Sequence, residues 1–275
     1  MAERVCPGQT QQLHHFVSTS PWSTAPLEQV LRQTADALVG GEDAVLIVDD
    51  TALPKQGKHS VGVKRQHCGV LGKQAKCQVL VSLTLAQKEV PVPIALRLYL
   101  PKDWAQDKAR REEAKVPESI SFETKGDIAL AQVYIALADG MRFGTVLADA
   151  GYGSSADFRA GLTQRGLRWA VGVQPTQKVY PADVELSMQA TNPGAGRPAK
   201  YPQPSTPSVS VVQMIDMLGP KALRRCSWRC GTKGMLSAHF AAVQACVADG
   251  VLASHWQHLP VTREGHGWVC TIMHC

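Results

Sequence analysis

Three aspartates at the ends of two apolar runs are the residues best placed to do chemistry. Asp49 and Asp50 follow Ala44-Val45-Leu46-Ile47-Val48, and Asp149 follows Phe143-Gly144-Thr145-Val146-Leu147-Ala148. Carboxylates delivered by two neighbouring strands suit a Mg²⁺ ion, which takes oxygen ligands and usually keeps several waters. The plainer reading is that acidic residues often follow buried strands as turn formers, and the pattern alone leaves both readings open.

The elements that must position these groups can be read from the same stretches. A continuous apolar run bounded by Gly40-Gly41 and Leu53-Pro54-Lys55-Gln56-Gly57 predicts a strand buried on both faces, with the carboxylates at its C-terminal end. Side chains alternate across a strand, so Asp49 and Asp50 are expected to face opposite ways. The second run ends in the glycine-rich turn Ala150-Gly151-Tyr152-Gly153.

The whole chain has 275 residues, 44% hydrophobic and 19% charged, which is globular in character and allows one or two domains. The net charge of +6 is concentrated. Between Thr51 and Lys88 lie Lys55, Lys58, Lys64, Arg65, Lys73, Lys76 and Lys88, with no acidic residue. Between Gln189 and Ala248, Asp216 alone opposes Arg197, Lys200, Lys221, Arg224, Arg225, Arg229 and Lys233. Such stretches suit a polyanion such as DNA, or form a solvated positive face with no partner. The eight cysteines lack the spacing of a disulfide scaffold, and no apolar signal segment opens the chain, so a reducing cytosol is expected. No apolar stretch is long enough to cross a bilayer. Cys226 and Cys230 could share one side of a helix with His239 downstream, but no second ligand pair accompanies them, and incidental thiols are the simpler reading.

Taken in order, residues 1–25 read as an irregular lead-in and Pro26 to Val39 as a helix, with Leu27, Val30, Leu31, Thr34, Ala35 and Leu38 on one face. Strands are expected at Ser60–Val63, Cys77–Ala86 and Val90–Leu100. Pro91 and Pro93 place the start of the last of these at a sheet edge. A charged helix over Asp103–Ala114 and an amphipathic one over Lys125–Leu137 lead into the second acidic strand. A helix capped by Ser155 and a strand over Leu167–Val173 complete a mixed α/β sheet covered by helices. Residues 190–208 are linker-like. Beyond them a short helix at Ser210–Leu218 and strands at Arg224–Arg229 and Ala238–Val247 form a β-rich region. Residues 255–275 concentrate histidine, tryptophan and cysteine without periodicity, as a shifted reading frame or a short native tail would.

The run Ile47-Val48-Asp49-Asp50-Thr51-Ala52-Leu53-Pro54-Lys55-Gln56-Gly57, with Ser60-Val61-Gly62-Val63 and Leu147-Ala148-Asp149-Ala150-Gly151-Tyr152-Gly153, resembles bacterial insertion-sequence transposases of the DDE superfamily. Leu13-His14-His15-Phe16 and Trp228-Arg229-Cys230-Gly231-Thr232-Lys233-Gly234 resemble the same group, and the likeness covers about residues 1–248. It implies an RNase H-like α/β fold: a lead-in and helix over 1–43, a core over 44–174, and a partial β-rich insertion over 175–275 whose tail is atypical from about 249. It implies that Asp50 and Asp149 are catalytic carboxylates binding two Mg²⁺ or Mn²⁺ ions for in-line cleavage and transfer of DNA strands. Asp49, facing away, is the lesser candidate. Lys55, Lys58 and Arg65 are expected either to contact phosphates or to stay solvated. The implied partners are insertion-sequence ends and target DNA, with a homo-oligomer left open and no membrane, in the bacterial cytoplasm at the nucleoid.

The family also requires a glutamate on a helix after the insertion. Only Glu185 and Glu264 follow Asp149, and neither has that context. The expectation is therefore a transposase truncated inside its insertion domain and catalytically incomplete. The alternatives are a non-catalytic protein that binds DNA or interferes with full-length transposase, and a degraded product that folds poorly.

Overall fold

The computed structural model describes residues 4, 7–19, 23–187, 203–232, 234–241, 243 and 245–248. Its centre is β1 (Val45–Pro54), which pairs antiparallel with β3 (Lys73–Gln87), placing Asp50 opposite Val81. Both β2 (Lys64–Cys68) and β4 (Val90–Leu98) pair antiparallel with β3. The other edge of β1 pairs in parallel with β5 (Thr145–Ala148), and β5 with β6 (Trp169–Val171). The order is β2-β3-β1-β5-β6, with β4 also on β3. This mixed sheet with flanking helices is the RNase H-like arrangement expected from the sequence.

Helices α1 (Thr10–Ser18) and α2 (Ala25–Val39) precede the sheet, and α3 (Lys102–Gln106) and α4 (Lys108–Glu113) follow β4. The crossover into β5 is α5 (Lys125–Ala138). Thr124 and Asp127 cap it reciprocally, which satisfies amides that a helix start leaves open. A short turn α6 (Ala150–Gly153) and α7 (Ala156–Gln164) lead to β6, and Ser155 accepts the Phe158 amide at 3.2 Å as expected of its cap. Leu46, Val48, Val81, Leu83 and Leu85 line one sheet face and pack with Ile128, Val133 and Ala136 of α5 and Phe158 and Leu162 of α7. Each such large side chain contributes about 1.5–3 kcal/mol by leaving water.

Five local expectations are corrected. Asp49 and Asp50 lie within β1, which runs on to Pro54 along β3, rather than at its C-terminal end; only the pairing of β1 with β5 stops at Val48. The lead-in contains α1. Ser60–Val63 is a turn, and the strand begins at Lys64. Gly62 adopts φ +75°, and a Cβ there would stand 2.9 Å from the Tyr99 carbonyl oxygen, so the chain bends where extension was expected. The helix over 103–114 breaks at Asp107, whose carboxylate caps α4 by accepting the Arg110 amide. Finally, α2 is rotated about its axis from the expected stripe: Arg32, Ala35 and Val39 are buried, so Ala35 alone of the expected face points inward, while Leu27 and Leu38 are 59% and 70% exposed. Ion pairs to distant residues set this rotation, joining Arg32 to Asp139, Glu28 to Arg97 and Asp36 to Arg142.

Beyond Val173 the elements are short. Strand β7 (Lys178–Pro181) pairs with β10 (Val209–Ser210) and β13 (Ala245–Val247), and β8 (Leu186–Ser187) with β9 (Gln203–Pro204). Helix α8 (Val211–Leu218) is capped by Ser210. A two-stranded ribbon joins β11 (Arg224–Gly231) to β12 (Gly234–Phe240). Most of the linker-like segment and the tail from 249 lie outside the described residues. No helix among the described residues is long and apolar enough to cross a membrane.

Candidate functional site

The Asp50 side chain leaves β1 in the same alternation as the buried Leu46 and Val48, so it emerges at the rim of the covered face. Asp49 has the opposite parity, and its Oδ1 accepts the Asp50 backbone amide at 2.7 Å. Two donors hold the Asp50 carboxylate. Tyr152 Oη donates to Oδ1 at 2.6 Å, and Lys125 Nζ makes an ion pair with Oδ2. Lys125 opens α5, where a cation opposes the helix dipole, and its contact with Asp50 offsets that placement. The same ammonium lies 5.5 Å from the centre of the Tyr99 ring.

Asp149 follows β5, which is parallel to β1 and level with it as far as Val48 and Ala148. Its Oδ1 accepts the amides of Gly151 at 2.9 Å and Tyr152 at 3.2 Å, capping α6. Tyr152 thus touches both predicted carboxylates, one through its amide and the other through its hydroxyl. It is 4% exposed, and burial pushes its phenol well above the ordinary range. The hydrogen bond to Asp50 and the charges of Asp50, Asp149 and Asp49 push it the same way, so it stays a protonated donor. Close backbone packing seats this turn. A Cβ on Gly153 would stand 1.8 Å from the Gly172 carbonyl oxygen at the end of β6. The buried Arg159 of α7 donates to the Gly153 carbonyl.

Carboxylate oxygens are the hard donors that Mg²⁺ and Mn²⁺ take, and the Lys125 ammonium on Asp50 Oδ2 is a cation already accepted there. The residues present suit a divalent ion held by two carboxylates and water. No cluster of three or more His, Cys, Asp or Glu suited to a metal occurs among the described residues. Glu185 is exposed in the β-rich region, its amide held by Ser205, and Glu264 lies outside the described residues. Cys226 and Cys230 sit on a strand rather than a helix. A bulge between Ser227 and Arg229 sets their partners, Ala238 and Met235, on opposite ribbon faces.

The three predicted phosphate contacts follow β1: Lys55 and Lys58 in the loop after it and Arg65 on β2. The Lys55 amide donates to the Lys76 carbonyl at 3.0 Å, continuing the β1–β3 pairing. Lys58 is exposed, and its carbonyl accepts from Arg110. Arg65 is exposed directly opposite Lys76. Like charges facing each other across strands destabilise a sheet unless an anion lies between or beside them.

The sequence match to known proteins follows this geometry. The family described as DDE superfamily endonuclease matches residues 1–235. The chain belongs to the DDE superfamily of endonucleases. It is also 28% identical over 170 residues to "Probable transposase for insertion sequence element IS701" from Microchaete diplosiphon. That match covers 62% of this chain and 42% of the relative, so the DDE chain spans about two fifths of the relative's length. The family match includes every residue of the carboxylate arrangement just described.

The sequence points to Asp50 and Asp149 but not to Tyr152 and Lys125 as their hydrogen-bond and ion-pair partners. A tyrosine in a glycine-rich turn and a lysine in a first helical turn were the available signals. Neither tells which carboxylate it meets.

Proposed function

We propose that Asp50 and Asp149 are the metal-binding pair of a transposase that cleaves and transfers DNA strands at insertion-sequence ends. The observation that carries this reading is that both carboxylates hydrogen-bond to Tyr152 just past the point where the parallel pairing of β1 with β5 ends, within the segment the family matches. A bound Mg²⁺ or Mn²⁺ would supply Lewis acidity at the scissile phosphate and lower the pKa of the attacking water or 3′-hydroxyl. Asp50 and Asp149 hold it by charge, Asp149 through Oδ2, since Oδ1 caps α6. Lys55, Lys58, Arg65 and Lys76 align the phosphate backbone along the extension of β1 and β3. Residues 44–174 form the core in this reading, 1–43 precede it, and the strands after 175 belong to an insertion. Its place of action is the cytoplasm, on nucleoid DNA.

A second reading, binding without cleavage, is favoured by one observation. No third carboxylate joins Asp50 and Asp149 among the described residues. Incubating the purified chain with supercoiled and insertion-end DNA in Mg²⁺ or Mn²⁺ separates the two. Strand transferase activity predicts nicking that disappears in both Asp50→Ala and Asp149→Ala. DNA binding without nicking supports the second reading, and nicking that survives both substitutions contradicts the first.

The strand-end lysines and arginine make a separate prediction. If Arg65 and Lys76 contact phosphates, the double variant Arg65→Ala/Lys76→Ala should reduce the slope of log affinity against log salt by roughly 1.8, at about 0.9 per phosphate contact. An unchanged slope in a filter-binding titration would assign these residues to a solvated face.

A further inference from the structure

We propose that Tyr152 is the positioning residue that sets the two carboxylates for a divalent cation, while Lys125 holds the place of that cation on Asp50. The proposal rests on the reading of Asp50 and Asp149 as a metal pair. Tyr152 is joined to both: its amide is held by Asp149 Oδ1 at 3.2 Å, and its hydroxyl holds Asp50 Oδ1 at 2.6 Å. The phenol cannot shift freely to follow either carboxylate. Its ring is buried and packs at 5.6 Å, tilted by 52°, on Phe158, which is itself fully buried. Gly153, next in the chain, sits against the β6 backbone with no room for a side chain. The turn therefore has one seat, and the hydroxyl fixes the Asp50 carboxylate in one rotation.

The two oxygens of Asp50 have different partners, and the difference assigns the roles. Oδ1 takes a neutral donor that remains compatible with a metal on the same carboxylate. Oδ2 takes an ammonium that competes with a metal for the same charge. Lys125 stands on the helix start, partly exposed, with the Tyr99 ring beside it. It can swing aside without disturbing the core, and Tyr152 cannot.

The opposite roles predict opposite effects on one readout, Mn²⁺ affinity of the full chain by isothermal titration. Tyr152→Phe keeps the ring and loses only the hydroxyl. It is expected to weaken Mn²⁺ binding about 10–100-fold, as loss of an outer hydrogen-bond partner does. Lys125→Met is expected to strengthen binding by removing the competing cation. A general loosening of the site would weaken both variants. Wild-type affinity in Tyr152→Phe, or weaker binding in Lys125→Met, overturns the proposal. Asp50→Asn separates this from the reading beneath it. If Asp50→Asn loses Mn²⁺ while Tyr152→Phe does not, the positioning role alone fails. If Asp50→Asn binds as wild type, the metal pair fails and the proposal falls with it.

Discussion

Asp149→Asn should lose Mn²⁺ binding while leaving the fold intact. Asparagine keeps an oxygen that can accept the Gly151 and Tyr152 amides, and it caps helices about as well as aspartate. What disappears is the oxygen left for a metal, together with its charge: an amide NH₂, which cannot ligate a cation, takes the place of Oδ2. The expected loss of affinity exceeds the roughly 10–100-fold that follows removal of an outer partner. Unfolding stability should move by no more than about 0.5 kcal/mol. Asp149→Ala removes the cap as well and should cost about a further 1 kcal/mol. Titration calorimetry and thermal melts on the same samples check both parts. If Asp149→Asn binds Mn²⁺ like the wild type, Asp149 is a cap and nothing more.

Gly153→Ala is expected to be the most damaging small substitution in the site. The added Cβ would fall 1.8 Å from the Gly172 carbonyl oxygen, and backbone lies on both sides of the contact. Neither side can yield cheaply. The Gly153 amide donates to Asp149 O, and the Gly172 amide donates to Ala148 O, both at 2.9 Å. Relief therefore requires the turn bearing Asp149 and Tyr152 to lift off β6. Overpacking of this kind costs about 3 kcal/mol, which lowers the melting temperature by roughly 6–12 °C in a chain of this size. Gly57→Ala is the control, since nothing lies within 4 Å of its would-be Cβ. It should melt like the wild type. Equal melting of the two variants would refute the close seat of the turn.

These residues show where the sequence was readable and where it was not. The apolar runs ahead of the carboxylates were readable because buried strands are continuous apolar runs; the strand end was right for Asp149 but not for Asp50, since β1 continues to Pro54 along β3. The cap at Ser155 was readable for a similar local reason. The orientation of α2 was not, because its apolar stripe predicted one inward face while Arg97, Asp139 and Arg142 draw the neighbouring strip of Glu28, Arg32 and Asp36 inward. Those partners are remote in sequence, and hydrophobic periodicity carries no information about them. The turn at Ser60–Val63 is closed locally, by the Val63 amide on the Ser60 carbonyl and by Gly62 at positive φ, a signal the apolar alternation outweighed. Tyr152 and Lys125 could be named but not assigned. Their roles depend on β1 and β5 lying side by side, which register decides and composition does not.

The most direct test of the central claim is anomalous scattering from crystals of the chain soaked in Mn²⁺. The account predicts a peak at a coordination distance of about 2.0–2.2 Å from both Asp50 Oδ2 and Asp149 Oδ2, with the Lys125 ammonium moved off Asp50. Mn²⁺ bound elsewhere, with Lys125 still paired to Asp50, would contradict it.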